Sequence, residues 1–271
     1  MSEPRTLALA RRLLAACDGA ALIDLPSAQP GGLPLEQAWA VAQRAAQLRI
    51  ERGERRCGWK IGFTNRSIWD RYGVHAPIWG PVWDTTAALL DGTDASVSIA
   101  GFSQPRLEPE VVFGFASAPA AGMSLAELQR CLAWVAHGFE IVQTHFADWR
   151  FTLADTVADF ALHGWMRVGP RVPVQGWPTL ADDLSAMQVE LSCDGVVKDR
   201  GLGSVVLDGP VHALKQWIDA MAITTPDWRV AAGEFVTTGT ITDAWPLQPG
   251  QHWQSRLSET RLAPLSLHTR P

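Results

Sequence analysis

Apolar residues recur at helical spacing over residues 6–17, where Leu7, Ala10, Leu13, Leu14 and Cys17 share one stripe. A Pro- and Gly-rich break runs from Pro26 to Pro34, and a second stripe follows through Leu35, Trp39, Ala42, Ala46 and Ile50 until Gly53. At Cys57 the period changes to two. In Gly58-Trp59-Lys60-Ile61-Gly62-Phe63, alternation puts Trp59, Ile61 and Phe63 on one face and Gly58, Lys60 and Gly62 on the other. Residues 66–100 are aromatic and loop-like, able to wall a pocket or to roof a core, and His75 there reads as a structural histidine. Residues 106–115 alternate again. Leu107, Val111, Phe113 and Phe115 take the buried face of a strand, and Glu108 and Glu110 lie one rung apart on the other.

Ser124 and Glu127 form a capping box that opens a helix of about three turns. Its buried side is Leu125, Leu128, Leu132, Val135 and Ala136, and His137-Gly138 closes it. The strand Phe139-Glu140-Ile141-Val142 then turns Glu140 away from the core, as Glu108 and Glu110 are turned. The stretch from Asp148 to Asp159 has no clean period and reads as an ordered connection, in which Asp155 or Asp159 orients a base or caps a short helix. Asp194-Gly195 marks a hairpin, residues 210–221 an amphipathic helix, and Phe235 to Thr240 a strand ending in a hydroxyl-rich glycine turn. That turn either offers N–H and hydroxyl groups to a carboxylate or is simply a turn. Alternating strand material runs from Gln254 to His268.

The 271 residues are 47% hydrophobic and 19% charged, as in a globular enzyme with a sizeable core. A net charge of −5 without a basic cluster argues against nucleic acid, and no apolar run reaches a membrane span. No signal-peptide pattern opens the chain, and Cys17, Cys57, Cys131 and Cys193 lack metal-site spacing; they read as reduced thiols in a cytoplasmic protein. Thirteen Trp stand against one Tyr.

Two carboxylates side by side on a hydrophobic strand repel and desolvate each other, which a cation between them relieves; the alternative is a solvated edge strand, which Pro109 tolerates. Glu140 makes a third. Three carboxylates with no Cys or His ligand pattern favour a hard ion, Mg²⁺ or Mn²⁺, with about three positions left for water or for a 2-oxo acid chelating through its keto and carboxylate oxygens. Lys60, between two glycines, is either a surface lysine or a proton shuttle whose pKa falls by burial near a cation. No nucleophile elbow is present.

With Gly58-Trp59-Lys60-Ile61-Gly62-Phe63-Thr64, Leu107-Glu108-Pro109-Glu110, Glu140-Ile141-Val142, Ala147-Asp148-Trp149 and Asp155-Thr156-Val157-Ala158-Asp159 in order, the chain resembles a known group. This is the 2-hydroxypenta-2,4-dienoate hydratase and 4-oxalocrotonate decarboxylase branch of the fumarylacetoacetate hydrolase superfamily. The resemblance implies an α+β fold: a mixed β-roll catalytic domain over residues 56–271 behind a helical N-terminal portion, residues 1–55. It implies Mg²⁺ or Mn²⁺ on Glu108, Glu110 and Glu140, Lys60 as proton-transfer residue, a small 2-oxo acid substrate and a homo-oligomer; Asp155 is the other catalytic candidate. Leu107, Trp79, Phe160, Thr238 and Thr240 are the substrate-binding candidates. The chain departs from the hydratases at Ile78-Trp79-Gly80, where they carry Asp before the aromatic residue, and at Phe160-Ala161-Leu162, where they carry Asn-Ala-Ser. The substrate end is therefore expected to be more apolar than a pentadienoate requires. The activity expected is hydration of a 2-oxo-4-enoate through a metal-bound enolate. The alternatives are decarboxylation of a vinylogous 2-oxo acid, C–C hydrolysis, or a non-catalytic assembly partner.

Overall fold

The structure, a computed structural model, describes residues 2–271. Two long helices open it, α1 (Glu3–Asp18) and α2 (Leu35–Glu51). Short helices follow at α3 (Trp69–Tyr72), α4 (Leu125–Arg130), α5 (Leu153–Ala158) and α6 (Leu180–Ala186), before the long α7 (Pro210–Thr224). The strands in chain order are β1 (Arg56–Gly62), β2 (Ile78–Trp83), β3 (Ala87–Leu89), β4 (Asp94–Ser98), β5 (Arg106–Phe115), β6 (Leu132–Val142) and β7 (His163–Val168). They continue as β8 (Val172–Pro173), β9 (Gln188–Cys193), β10 (Val196–Leu202), β11 (Phe235–Thr240), β12 (Trp245–Pro246), β13 (His252–Leu257) and β14 (Leu265–Arg270).

The larger sheet is mixed and curled, in the order β2-β1-β11-β5-β6-β7-β3, with β12 paired to β5 and β8 to β6; the smaller runs β10-β9-β13-β14-β4. The fold is thus α+β, a curled mixed sheet with helices at its N-terminal side. Alternation along β5 assigns the two faces of the curl. Leu107, with Phe139 and Ile141 of β6, packs on Leu191, Trp253 and Leu267 of the smaller sheet, while Val111 and Phe113 join the cluster under the helices. The opposite face carries Glu108, Glu110 and Val112, the last packed with Ala136, Met166 and Phe235.

The tryptophans form the seam between helices and sheet. Trp39 of α2 lies 4.4 Å, ring centre to ring centre, from Trp79 of β2, and Trp59 of β1 lies 5.2 Å from Trp228 and 6.0 Å from Trp217 of α7. One cluster holds Ala10, Leu13 and Trp39 of the helical portion together with Trp59, Ile61 and Val236 of the sheet. The helical portion therefore shares its core with the sheet.

Three expectations are corrected. Residues 66–100 are not loop-like, since they hold β2, β3 and β4. Trp79 pairs across from Ile61, so its aromatic bulk belongs to a central layer. The capping box at Ser124 is present, but α4 ends after Arg130 and β6 begins at Leu132. His137-Gly138 lies inside that strand, where Gly138 faces Glu110 and a Cβ would stand 2.7 Å from Val112 Cγ2. Close packing between strands, not a helix stop, requires this glycine. Phe63 does not extend the strand, which ends at Gly62: its φ is 54°, though it still packs against the cluster that holds Trp59 and Ile61.

Candidate active site

Register brings the acidic residues together. Glu108 on β5 pairs directly with Glu140 on β6, and Glu110 follows Glu108 by two residues on the same face. One carboxylate oxygen of each lies within 4.8 Å of the others. Glu110 and Glu140 are fully buried and Glu108 is half-buried. The edge-strand alternative is thereby excluded, because β5 is flanked by β11 and β6.

Glu140 and Glu110 are held differently. His163 Nδ1 lies 2.7 Å from Glu140 Oε1, and its Nε2 lies 2.9 Å from Thr86 Oγ1. Gly239 N–H donates to Glu110 Oε2 at 2.6 Å. The register of β11 against β5 slips between Thr237 and Thr240, a bulge that re-aims the backbone at the site. Gly239 has φ +99°, and a Cβ there would reach 1.8 Å from Thr64 Oγ1, so only glycine fits. The glycine turn does give its N–H to a carboxylate, and that carboxylate is the protein's own.

Two buried carboxylate oxygens of the cluster have no hydrogen-bond partner among the described residues: Glu110 Oε1 and Glu140 Oε2. Among the described residues, the cation paired with the latter is Lys60, whose Nζ stands 3.4 Å from Glu140 Oε2 and donates to Ala161 O at 3.0 Å. Burial pushes the Glu108 carboxyl up, to about 7, and Glu140 adds to this against the pull of Lys60. Burial and the two neighbouring carboxylates drive Glu110 well above the ordinary range. Burial also acts against the Glu140 anion, but Lys60 and His163 outweigh it and hold Glu140 below that range. For Lys60, burial opposes the charge and the three carboxylates overcome it, so its pKa is raised. The expected depression needs a cation among the carboxylates to replace their attraction with repulsion. Unpaired acceptors, mutual repulsion and an all-oxygen donor set fit a hard divalent ion.

A cavity of about 220 Å³ opens beside this cluster, and its lining includes Lys60, Glu108, Gly62 and Thr240 together with Ile78, Leu162, Val142, Phe63 and Phe151. Of the two glycines beside Lys60, Gly58 admits a neighbouring strand, since a Cβ would meet Phe235 O at 2.6 Å, while Gly62 borders the cavity.

The remaining candidates divide. Thr240 lines the cavity, and its hydroxyl donates to Thr242 O. Thr238 is buried and donates to Val111 O. Leu107 is enclosed between the two sheets. Trp79 is a core residue whose Nε1 donates to Thr225 Oγ1. Phe160 lies outside the cavity, its ring under the Arg49 guanidinium. Asp155 also lies apart: its carboxylate accepts from Ser27 N (2.9 Å), Ser27 Oγ (2.6 Å), Thr152 N and Thr152 Oγ1, so it caps α5 and ties it to the N-terminal portion. These bonds are those of a helix cap, and Asp155 is not among the residues lining the cavity beside Lys60. Sequence reasoning missed Arg106 and His163. Arg106 shares the face of Glu108 by parity, a signal that was available; it stacks 4.1 Å over Trp149 and reaches Tyr72 Oη at 3.3 Å.

Comparison with known proteins decides the family. The chain is 32% identical over 246 residues to the 2-keto-4-pentenoate hydratase of Burkholderia vietnamiensis, covering 89% of each. The chain belongs to the 2-keto-4-pentenoate hydratase and 4-oxalocrotonate decarboxylase family. It is also 30% identical over 222 residues to the 2-hydroxyhexa-2,4-dienoate hydratase of Comamonas testosteroni, covering 82% of this chain and 81% of that one. Among solved structures, the 4-oxalocrotonate decarboxylase of Pseudomonas putida G7 with magnesium and adipate superposes with a TM-score of 0.89 at 22% identity, over 99% of this chain and 98% of the other. No family profile matches the chain. Membership of this family makes the protein an enzyme of the hydro-lyase and decarboxylase type.

Proposed function

We propose that this family member adds water to a 2-hydroxy-2,4-dienoate or its 2-oxo-4-enoate tautomer, with Glu108, Glu110 and Glu140 holding Mg²⁺ or Mn²⁺ and Lys60 moving the proton. The observation that carries the reading is the meeting of three carboxylates, two with orphaned buried oxygens, beside a buried amine at the end of a cavity. A divalent ion held there would supply a Lewis acid for the keto and carboxylate oxygens of a 2-oxo acid. Lys60 is placed to hand a proton to, or take one from, the substrate carbon as the enol becomes the ketone. Ala161 O and Glu140 fix the direction of its Nζ. Glu140 in turn is oriented by His163, and Glu110 by Gly239 N–H. Ile78, Leu162 and Val142 give the substrate tail an apolar wall, which supports a chain longer or less polar than a pentadienoate.

A second reading, decarboxylation of a vinylogous 2-oxo diacid, is favoured by one observation. Arg106 lines the cavity and, among the described residues, makes no ion pair within 4.0 Å, leaving a guanidinium able to take a second carboxylate. Homo-oligomerisation and a cytoplasmic site of action complete the proposal. They are supported by exposed Val196, Val197 and Leu202 on β10 and by four free cysteines. No described helix is long and apolar enough to cross a membrane.

Product analysis tests the first reading. With Mg²⁺ and 2-hydroxypenta- or 2-hydroxyhexa-2,4-dienoate, 4-hydroxy-2-oxo acids are expected. Carbon dioxide from 4-oxalocrotonate, with no hydration of either dienoate, overturns it in favour of the second.

A further inference from the structure

The cavity beside Lys60 carries a group of side chains that the proton transfer does not use. Phe63, Tyr72, Trp149 and Phe151 all line it, and so does Arg106. Tyr72 and Phe151 are stacked, with ring centres 5.5 Å apart and planes 15° apart. Phe63 meets Tyr72 at 5.9 Å and Phe151 at 6.4 Å, and Trp149 meets Phe151 at 6.1 Å. The Arg106 guanidinium lies 4.1 Å over Trp149, and its Nη1 donates to Tyr72 Oη at 3.3 Å. The five side chains therefore form a closed collar, held by a contact at every step. Each is only half-buried, whereas most other aromatic rings of the chain are enclosed.

Two of these rings are placed at a conformational cost. Phe63 has φ 54° and Trp149 φ 57°, in the left-handed region that bulky residues rarely occupy. Hydrogen bonds hold both segments there, from Trp69 Nε1 to Phe63 O at 2.8 Å and from Trp149 Nε1 to Gln104 O at 3.1 Å. Glycine or asparagine would relieve either turn, so what the aromatic residue adds is its ring in the collar. Arg106 precedes Glu108 by two residues on the same face of β5, a step of about 7 Å. An extended chain gains about 3.5 Å per three bonds, so a substituent on C5 of a 2-oxo acid chelated at the carboxylates arrives at the collar. The charges favour a neutral substituent. Three glutamates, Lys60 and a divalent ion balance one another, which leaves Arg106 to balance the single carboxylate that every 2-oxo acid brings. Arg71 and Asp243, also in the lining, close on each other at 3.5 Å.

We propose that the collar is the seat of an aryl ring, and that the 2-oxo acid this enzyme takes is a dienol with a phenyl-type substituent on C5. The proposal rests on the hydration reading of the Lys60 site and adds the substrate class to it. A planar ring makes the same stacked and edge-to-face contacts that the four aromatic side chains make among themselves, and its face suits the Arg106 guanidinium. A methyl group leaves most of those contacts unused. The reaction itself is unchanged: the dienol loses its enol proton and C5 gains one, then water adds its hydroxyl to C4 and its hydrogen to C3.

The test uses the Mg²⁺-supplemented full chain and reads binding before turnover. Calorimetry compares three saturated 2-oxo acids that cannot be hydrated: 2-oxo-5-phenylpentanoate, 2-oxohexanoate and 2-oxoadipate. The phenyl compound is expected to bind at least about tenfold tighter than 2-oxohexanoate. Equal affinities, no binding of any of them, or tightest binding of 2-oxoadipate, whose second carboxylate Arg106 would then hold, overturns the proposal. Turnover compares 2-hydroxy-5-phenylpenta-2,4-dienoate with 2-hydroxyhexa-2,4-dienoate. The phenyl dienol is expected to have a kcat/KM at least about tenfold higher, and Phe151→Leu to lower that ratio about tenfold. A ratio near one, or one that Phe151→Leu leaves unchanged, also overturns it. Should the variant fail to fold, the binding series on the unaltered protein decides. A phenyl preference in binding with neither dienol hydrated supports the collar and defeats the hydration reading. Hydration of the hexadienoate without any phenyl preference does the reverse.

Discussion

Lys60 is the largest charged side chain wholly enclosed in the sheet, and what surrounds it decides its chemistry. Its replacement by Ala is expected to lower kcat by about 10²–10⁴-fold with metal affinity little changed, the signature of a lost proton donor. A variant whose kcat is unaffected removes Lys60 from the mechanism. The carboxylates lead to a pH prediction. Glu108, raised to about 7, and Glu110, raised well above the ordinary range, hold protons more readily in the metal-free protein than free carboxyls do, and an ion competes with those protons to bind. Divalent affinity should therefore fall as pH drops from 8 to 6, with proton release visible by calorimetry in buffers of different ionisation enthalpy. An affinity level across that range contradicts the shifts. His163 fixes Glu140 from behind, so His163→Ala should weaken Mg²⁺ binding by about 10–100-fold while the fold persists. At this scale the sequence is readable where parity governs: Glu108, Glu110, Glu140 and Lys60 meet as strand alternation requires. It is not readable for Asp155, whose carboxylate could serve a cap or a base equally well until Ser27, 128 residues away, appears beside it.

β6 shows where local pattern misleads. Leu125, Leu128, Leu132, Val135 and Ala136 fit a helical stripe, yet only α4 is helical and the rest runs as strand. Trp134, Val135, Phe139 and Ile141 favour a pleated layer, and pairing with β5 along its whole length outweighs the propensity carried over from the capping box. Gly138 is the residue that reports this. A helix stop would need this glycine for a left-handed backbone, which Gly138 does not adopt. In the strand, Gly138→Ala drives a Cβ against Val112 Cγ2 and should cost about 1–3 kcal/mol, read as a lower denaturant midpoint. A neutral Gly138→Ala would contradict the packing. The glycine turn in β11 was legible as a site for a carboxylate, but its owner, Glu110, depends on a register slip that no local pattern announces.

Across the whole molecule, the tryptophans left unexplained by composition join the helical portion to the sheet through Trp39, Trp79, Trp59, Trp217 and Trp228. Trp39→Ala should cost about 3–5 kcal/mol and melt helices and sheet in one transition, because both share a core. Two separate transitions would show that the N-terminal portion folds on its own. The α+β class and the family were legible from ordered motifs, whereas cavity walls built from β1, β2, β6 and the turns before β7 were not, since no stretch of sequence contains them together. The measurement that bears most directly on the whole account is anomalous diffraction from crystals soaked in Mn²⁺ and a 2-oxo acid analogue. A single strong peak bounded by Glu108, Glu110 and Glu140, with analogue oxygens turned towards it in the cavity beside Lys60, is the predicted result. Full Mn²⁺ loading with the peak elsewhere, or the analogue bound away from Lys60, would contradict it.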